Sequence, residues 1–264
     1  MKFIQSTDGT RIAFQTKGSG PALIIIDGAF CYSSYGPASS LSNLLEKDFT
    51  VYTYDRRGRG ESANELPYSI DKEVDDLLTL IKVTGESPFV FGMSSGGALL
   101  LQTLVKSAAI KKAALFEPPY VARSKNEVSF QQAQYELVSL LNDHDRSGAV
   151  RYFMNRLMKI PGIIVFILKL FNRSMWKKNE AVAHTLPYDL ELMKDNAVLI
   201  RAADTIAIPV LIMGGEKSPA SMKAAVQNVT KSIKKGSMRI LKGEGHNVAV
   251  NVLAPELISF FKSA

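Results

Sequence analysis

Gly92-Met93-Ser94-Ser95-Gly96 is the segment of this chain best suited to chemistry. An apolar run, Phe89 to Met93, leads into it, and small residues, Gly96-Gly97-Ala98, lead out of it. A serine with glycines two positions away on either side, on a turn from a buried strand into a helix, is held in a strained backbone conformation. Its hydroxyl is then exposed at the end of the strand. A serine hydroxyl is a weak nucleophile by itself and needs a neighbouring base. The chain has three histidines, His144, His184 and His246. Only His246, in Gly243-Glu-Gly-His246-Asn247, follows the last strand-like run and precedes the last helix, which puts it at the same sheet edge as Ser94. Ser94 and His246 therefore read as nucleophile and general base.

The surrounding elements support this placement. Phe3 to Ser6 and Arg11 to Thr16 are strand-like runs joined by Asp8-Gly9, a hairpin signal. Ala22–Ile26, Phe49–Tyr54 and Phe89–Met93 read as strands buried on both faces, and Ala113–Phe116, Val210–Met213 and Ser237–Leu241 read as further strands. Ile70, Val74, Leu77, Leu78 and Ile81 recur at helical spacing and stop at Gly85; further helices follow Gly96, Pro219 and Leu253. The alternation implies an α/β fold with a mostly parallel central sheet, right-handed crossovers and helices on both faces. It lapses between Val121 and Ala207, a helical stretch rich in Phe, Met, Leu, Arg and Lys. The chain divides on this reading into a core, 1–120 with 208–264, and an inserted helical lid, 121–207.

The bulk composition narrows the function. A content of 46% hydrophobic and 22% charged residues in 264 is that of a globular protein with a substantial core. The first residues show no signal-peptide pattern, and the longest apolar run, Ile163 to Leu168, is far too short to span a bilayer. With Cys31 as the one cysteine, no intrachain disulfide forms, in keeping with a cytoplasmic location. The net charge of +7 is concentrated between Arg146 and Lys178, which hold eight basic residues and no acidic one. No nucleic-acid motif accompanies them, so nucleic acid is not expected as a partner. A solvated basic face is the first reading; attraction of an anionic substrate or contact with a membrane surface are the alternatives. The apolar residues of the same segment read mostly as packing, with an apolar pocket as the sharper possibility. Neither metal nor cofactor is implied.

The chain resembles the α/β-hydrolase superfamily over nearly its whole length outside the insertion. The resemblance rests on Ile26-Asp27-Gly28, on Tyr54-Asp55-Arg-Arg-Gly58-Arg-Gly60-Glu-Ser62, on the turn at Ser94, on Gly214-Gly215 and on Gly245-His246. It implies an oxyanion hole formed by the backbone amides of Ala29 and Ser95. Relatives usually carry His-Gly where this chain has Asp27-Gly28. Arg56-Arg57-Gly58-Arg59-Gly60 lacks the residues of a phosphate loop, and the resemblance makes it a structural turn.

The acid partner of His246 is the main departure. Many relatives place an aspartate after the late strand in a Gly-x-x-Asp pattern, where this chain has Ser218. Glu117, after the strand that follows the nucleophile strand, is favoured as the replacement, as some superfamily members use that site. Glu216 is the alternative. Pro118 and Pro119 stiffen the chain beyond Glu117 and bias Glu117 itself toward an extended conformation. The resemblance implies a cofactor-independent serine hydrolase acting on a small or medium carboxylic ester or thioester with an apolar acyl or aromatic group. Carbon–carbon bond hydrolysis, haloperoxidase or perhydrolase chemistry, and a non-catalytic ligand-binding role stay open.

Overall fold

The computed structural model describes residues 1–107, 109–120, 129–194 and 196–263. They form two compact units, Met1–Ala122 with Asp195–Ala264, and Arg123–Lys194.

The first unit is built on eight strands: β1 (Lys2–Gln5), β2 (Arg11–Lys17), β3 (Ala22–Ile26), β4 (Thr50–Tyr54), β5 (Phe89–Met93), β6 (Lys112–Phe116), β7 (Val210–Gly215) and β8 (Gly236–Leu241). Their order across the sheet is β1-β2-β4-β3-β5-β6-β7-β8. The β1–β2 and β2–β4 pairs are antiparallel, and every later pair is parallel. β3 and β6 are buried at every residue, which is why their sequences read as continuous apolar runs rather than alternating ones.

Both sheet faces are covered. Helices α1 (Pro37–Leu45), α2 (Ile70–Thr84) and α3 (Ser95–Lys106) belong to the first unit. The second unit contains α4 (Phe130–Asn142), α5 (Arg146–Tyr152), a π turn (Phe153–Leu157), α6 (Gly162–Phe171), α7 (Arg173–Ala181) and α8 (Leu186–Leu192). The first unit resumes with α9 (Asn196–Ala202), α10 (Ala220–Ser232) and α11 (Val250–Lys262). On one face, α1 and α11 close over Leu23, Ile25, Phe89, Phe91 and Phe116, alternate residues of adjacent strands. Phe89 stacks on Phe261 at 4.9 Å, and Phe49 meets Phe89 edge-on at 5.8 Å. Such pairs add about 0.5–1.5 kcal/mol each beyond the area they bury. α2, α3, α9 and α10 form a second contiguous layer.

Two differences from the sequence reading concern boundaries. Helix α1 goes beyond the sequence reading: its sequence, PASSLSNLL, is polar at four of its nine positions, and it forms with Pro37 in its first turn and with Leu41 and Leu45 buried. The insertion was expected to run to residue 207, whereas the chain from 195 onward belongs with the sheet. There α9 and the 3-10 turn Ala203–Thr205 pack on α3 and α10, burying Leu199, Ala203 and Ile206. Residues 121–128, where the insertion was expected to begin, lie outside the described residues.

The turn after β4 carries three arginines, Arg56, Arg57 and Arg59, each only 1% exposed. Arg57 makes a bidentate pair with Asp76 of α2 at 2.7 Å and reaches Asp8 in the β1–β2 turn at 3.1 Å. Arg56 holds Glu73 of α2 at 2.6 Å and the Ser95 hydroxyl at 3.1 Å. Arg59 donates to the Gly28 carbonyl at 2.7 Å. Asp55 closes the turn by accepting from the backbone amides of Ser33 and Glu61. The structural turn that the resemblance implied is thus also a set of buried struts.

Removing one partner of a fully buried pair strands the other charge without water. Arg57→Met is expected to lower unfolding free energy by about 3–5 kcal/mol, read from urea melts. The double variant Arg57→Met with Asp76→Leu should recover most of that loss. A double variant no more stable than the single one would show that the pair holds the turn by geometry rather than by charge balance.

Candidate active site

Ser94 stands between β5 and α3 with φ 52° and ψ −122°, a conformation that L residues rarely adopt. The turn is tight enough that the flanking glycines are obligatory. A Cβ on Gly92 would lie 2.6 Å from the Gly96 carbonyl oxygen, and one on Gly96 would lie 2.4 Å from that of Ile26. The Ser94 amide donates to Phe116 at 2.9 Å, so the elbow stays in register with β6.

The loop after β3 runs alongside. A Cβ on Gly28 would stand 3.2 Å from Ser94 Cβ and 3.8 Å from its Oγ. Ala29 therefore follows a residue in direct reach of the serine. Ser95 opens α3, where a backbone amide has no partner within the helix. The two residues from which the resemblance drew oxyanion donors thus flank Ser94. Both are tied to the arginine turn, one through the Gly28 carbonyl and the other through the Ser95 hydroxyl.

His246 lies in the loop between β8 and α11 and is half-buried. Its Nδ1 is 2.7 Å from Glu117 Oε2. The other carboxylate oxygen, Oε1, accepts from the Gly215 amide at 2.8 Å, and the Glu117 side chain is fully buried. Burial by itself pushes this carboxyl up. Hydrogen bonding to His246 and to the Gly215 amide, together with the dipole of the facing Ser218 hydroxyl, outweighs that effect and holds it below the ordinary glutamate range. The Ser218 hydroxyl faces the carboxylate without a hydrogen bond of normal geometry. The loop that carries His246 is seated close against β7: a Cβ on Gly215 would lie 2.6 Å from the Glu244 carbonyl oxygen.

Of the two acids the sequence offered, Glu117 is brought to His246. Glu216 is exposed, and its carboxylate accepts from the Gly243 amide at 2.9 Å instead. The backbone of Glu117 differs from expectation. In place of the extended form favoured before proline, it has φ 44°. The carboxylate is anchored at both oxygens and the Glu117 amide donates to Met213 at 2.9 Å, so the backbone is fixed from both ends. Phe30 (φ 66°), Ser94 and Glu117 each fall within four residues of the carboxyl end of β3, β5 or β6, which are sheet neighbours. Among the described residues of the first unit, the non-glycine residues with positive φ are these three; His144 (φ 59°) and Lys159 (φ 58°) of the second unit share the conformation.

Cys31 is half-buried; a Cβ on Gly36 would meet its Sγ at 3.2 Å and Asp27 Oδ2 at 2.9 Å. His144 belongs to the second unit, as does His184. Among the described residues, no group of three or more His, Cys, Asp and Glu side chains is placed to hold a metal ion. No helix among them is long and apolar enough to cross a membrane.

Comparison with known proteins identifies the family. Residues 23–258 match the model of the alpha/beta hydrolase family. A solved alpha/beta hydrolase from Sphaerobacter thermophilus DSM 20745 is 37% identical, with a TM-score of 0.91 over 99% of this chain and 100% of that one. An esterase from Exiguobacterium antarcticum, 17% identical, superposes with a TM-score of 0.76 over 99% of both chains, a likeness of fold. The uncharacterized hydrolase YraK of Bacillus subtilis (strain 168) is 30% identical over 156 residues, 56% of this chain and 55% of that protein. The match to this curated relative thus spans about half its length. The chain belongs to the alpha/beta hydrolase family.

Asp27, where relatives usually have histidine, is buried, and burial pushes its carboxyl up to about 7 from 3.8. The Ala38 amide and the Arg59 and Arg56 charges oppose the rise, and Asp55 adds to it. Between about pH 4 and pH 7 the folded chain keeps a proton that the unfolded chain has released, so stability falls as pH rises through that window. Asp27→Asn should remove this contribution to the slope, leaving that of Asp76, whose buried carboxyl is raised to about 6. The variant's Tm is expected to exceed that of the unsubstituted protein by a few degrees near about pH 8 and to match it near about pH 4. An equal Tm difference at both values would place the effect in packing instead.

Proposed function

We propose that this chain is a cofactor-independent serine hydrolase that cleaves a small or medium carboxylic ester or thioester through an acyl-enzyme. The observation that carries the reading is the contact between Glu117 and His246 at the sheet edge where Ser94 occupies its strained turn. Ser94 Oγ attacks the substrate carbonyl and passes its proton to His246 Nε2. Glu117 fixes the ring through Nδ1–H and stabilises the imidazolium that forms. The developing oxyanion is taken by the amides of Ala29 and Ser95. Collapse of the tetrahedral intermediate expels the alcohol or thiol, which takes the proton from His246. Water then repeats the sequence on the acyl-enzyme, with His246 again as base, releasing the acid and restoring the Ser94 hydroxyl. The substrate group expected is an apolar acyl or aromatic one.

Hydrolysis of p-nitrophenyl esters of increasing acyl length tests the reading. Turnover should vanish in Ser94→Ala, and the optimum chain length measures the acyl site. Glu117→Gln is expected to cost about four orders of magnitude in kcat, with Glu216→Gln nearly unchanged. The opposite order of the two glutamate variants would overturn the assignment of the acid. Absence of ester turnover, with Ser94 still labelled by a phosphonate probe, would turn the reading to carbon–carbon bond hydrolysis or perhydrolase chemistry. Absence of labelling would turn it to a ligand-binding protein.

A further inference from the structure

Helix α6 has the sequence GIIVFILKLF, and of its apolar side chains only Val165 is buried, at 2% exposure. Ile163, Ile164, Phe166, Ile167, Leu170 and Phe171 are all exposed, reaching 65% at Ile163, 60% at Phe166 and 80% at Phe171. At 100° per residue these six fall within an arc of roughly 160°, with Val165 on the opposite side. The sequence reading assigned these residues mostly to packing. The structure instead leaves them as a continuous apolar face. Isolated exposed apolar residues are normal in a globular protein, but a contiguous patch of this kind marks a surface that something covers.

The charges around the patch indicate what covers it. Arg156 and Lys159 precede α6, Lys169 lies within it, and Arg173 and Lys177 follow it; all five are exposed. Lys169 lies over the ring of Trp176 in α7, 5.6 Å from its centroid. No acidic residue occurs between Arg146 and Lys178. A second copy of the chain seated on this face through a twofold axis would set these like charges against themselves. An anionic surface would neutralise them. The helix is about 15 Å long, half the thickness of a bilayer's hydrocarbon core, so it can lie in the interface but cannot span it.

We propose that α6 docks on an anionic lipid surface, with its six apolar side chains among the acyl chains and the flanking lysines and arginines at the headgroups. The proposal is independent of the hydrolase reading, since neither Ser94 nor His246 takes part in it.

Flotation of the full chain with phosphatidylcholine–phosphatidylglycerol vesicles, against pure phosphatidylcholine vesicles, tests the proposal. The chain should float with the anionic vesicles only. Phe166→Ser with Leu170→Ser should lower the partition at least about tenfold. Lys169→Gln, Arg173→Gln and Lys177→Gln together should lower it about a hundredfold, near fivefold for each charge. Ser94→Ala should float unchanged, so loss of activity and loss of docking are read separately. The substituted positions are solvent-exposed, and Tm should hold; if the double variant melts early, Phe171→Ser alone supplies the measurement. Failure to float with anionic vesicles, or flotation indifferent to both sets of substitutions, overturns the proposal. So does a concentration-dependent dimer in sedimentation that the Phe166 and Leu170 substitutions dissolve, which would place a second copy on this face.

Discussion

Three guanidinium groups withdrawn from water within one short turn impose the constraint on which the first unit depends. A buried charge is tolerated only where its partners are in place, and here the partners are scattered along the chain. Arg57 requires α2 and the β1–β2 turn, Arg56 requires α2 and the start of α3, and Arg59 requires the loop after β3. None of these elements is adjacent to the turn in sequence in a way that fixes the others. The turn can be dehydrated only when all of them have assembled, so formation of the sheet edge and formation of the candidate site are one event. Networks of this kind are high-stakes: complete, they rigidify their surroundings, and incomplete, they are a liability.

That rigidity offsets a second cost. Phe30, Ser94 and Glu117 each hold a positive φ without being glycine. Such residues cost of order 1–3 kcal/mol apiece and persist only where the structure around them over-determines the backbone. The arginine turn supplies this on the side of Ser95 and Gly28, and the amides of Gly215 and Glu117 supply it on the side of His246. Within the described residues of the first unit, non-glycine positive φ thereby falls at the carboxyl ends of three neighbouring strands, where precise placement of polar groups matters most. The stabilising apolar contacts among Phe49, Phe89 and Phe261 belong to the face of the sheet covered by α1 and α11.

Much of this was legible in the sequence because burial on both faces leaves an unmistakable mark. The inner strands β3, β5, β6 and β7 announce themselves by apolar runs, and Gly92 and Gly96 announce the elbow by what any larger side chain would strike. Helix α1 escaped because its serines blur the helical period. Glu117 and Glu216 could not be separated by spacing, since contact with His246 is made across 129 positions in one case, and the other acid is diverted to a nearer amide. The backbone of Glu117 defied a local preference because tertiary hydrogen bonds outweigh it. The burial of the arginines leaves no trace in the sequence, as charged residues are ordinarily solvated. The exposure of the apolar residues of α6 is equally invisible there: composition reports hydrophobicity but not which side of a helix meets water.

Ser94, Glu117, His246, Ala29 and Ser95 all come from the first unit, and the second unit contributes none of them. The division has an evolutionary consequence. A segment that supplies no reacting group is free to change length, composition and surface character under selection while the chemistry stays intact. In this chain that freedom extends to the second unit, which lies in sequence between β6 and β7, strands that pair directly with each other. Diversification within such a family can then proceed by exchange of the insert, with the sheet inherited as a fixed chassis.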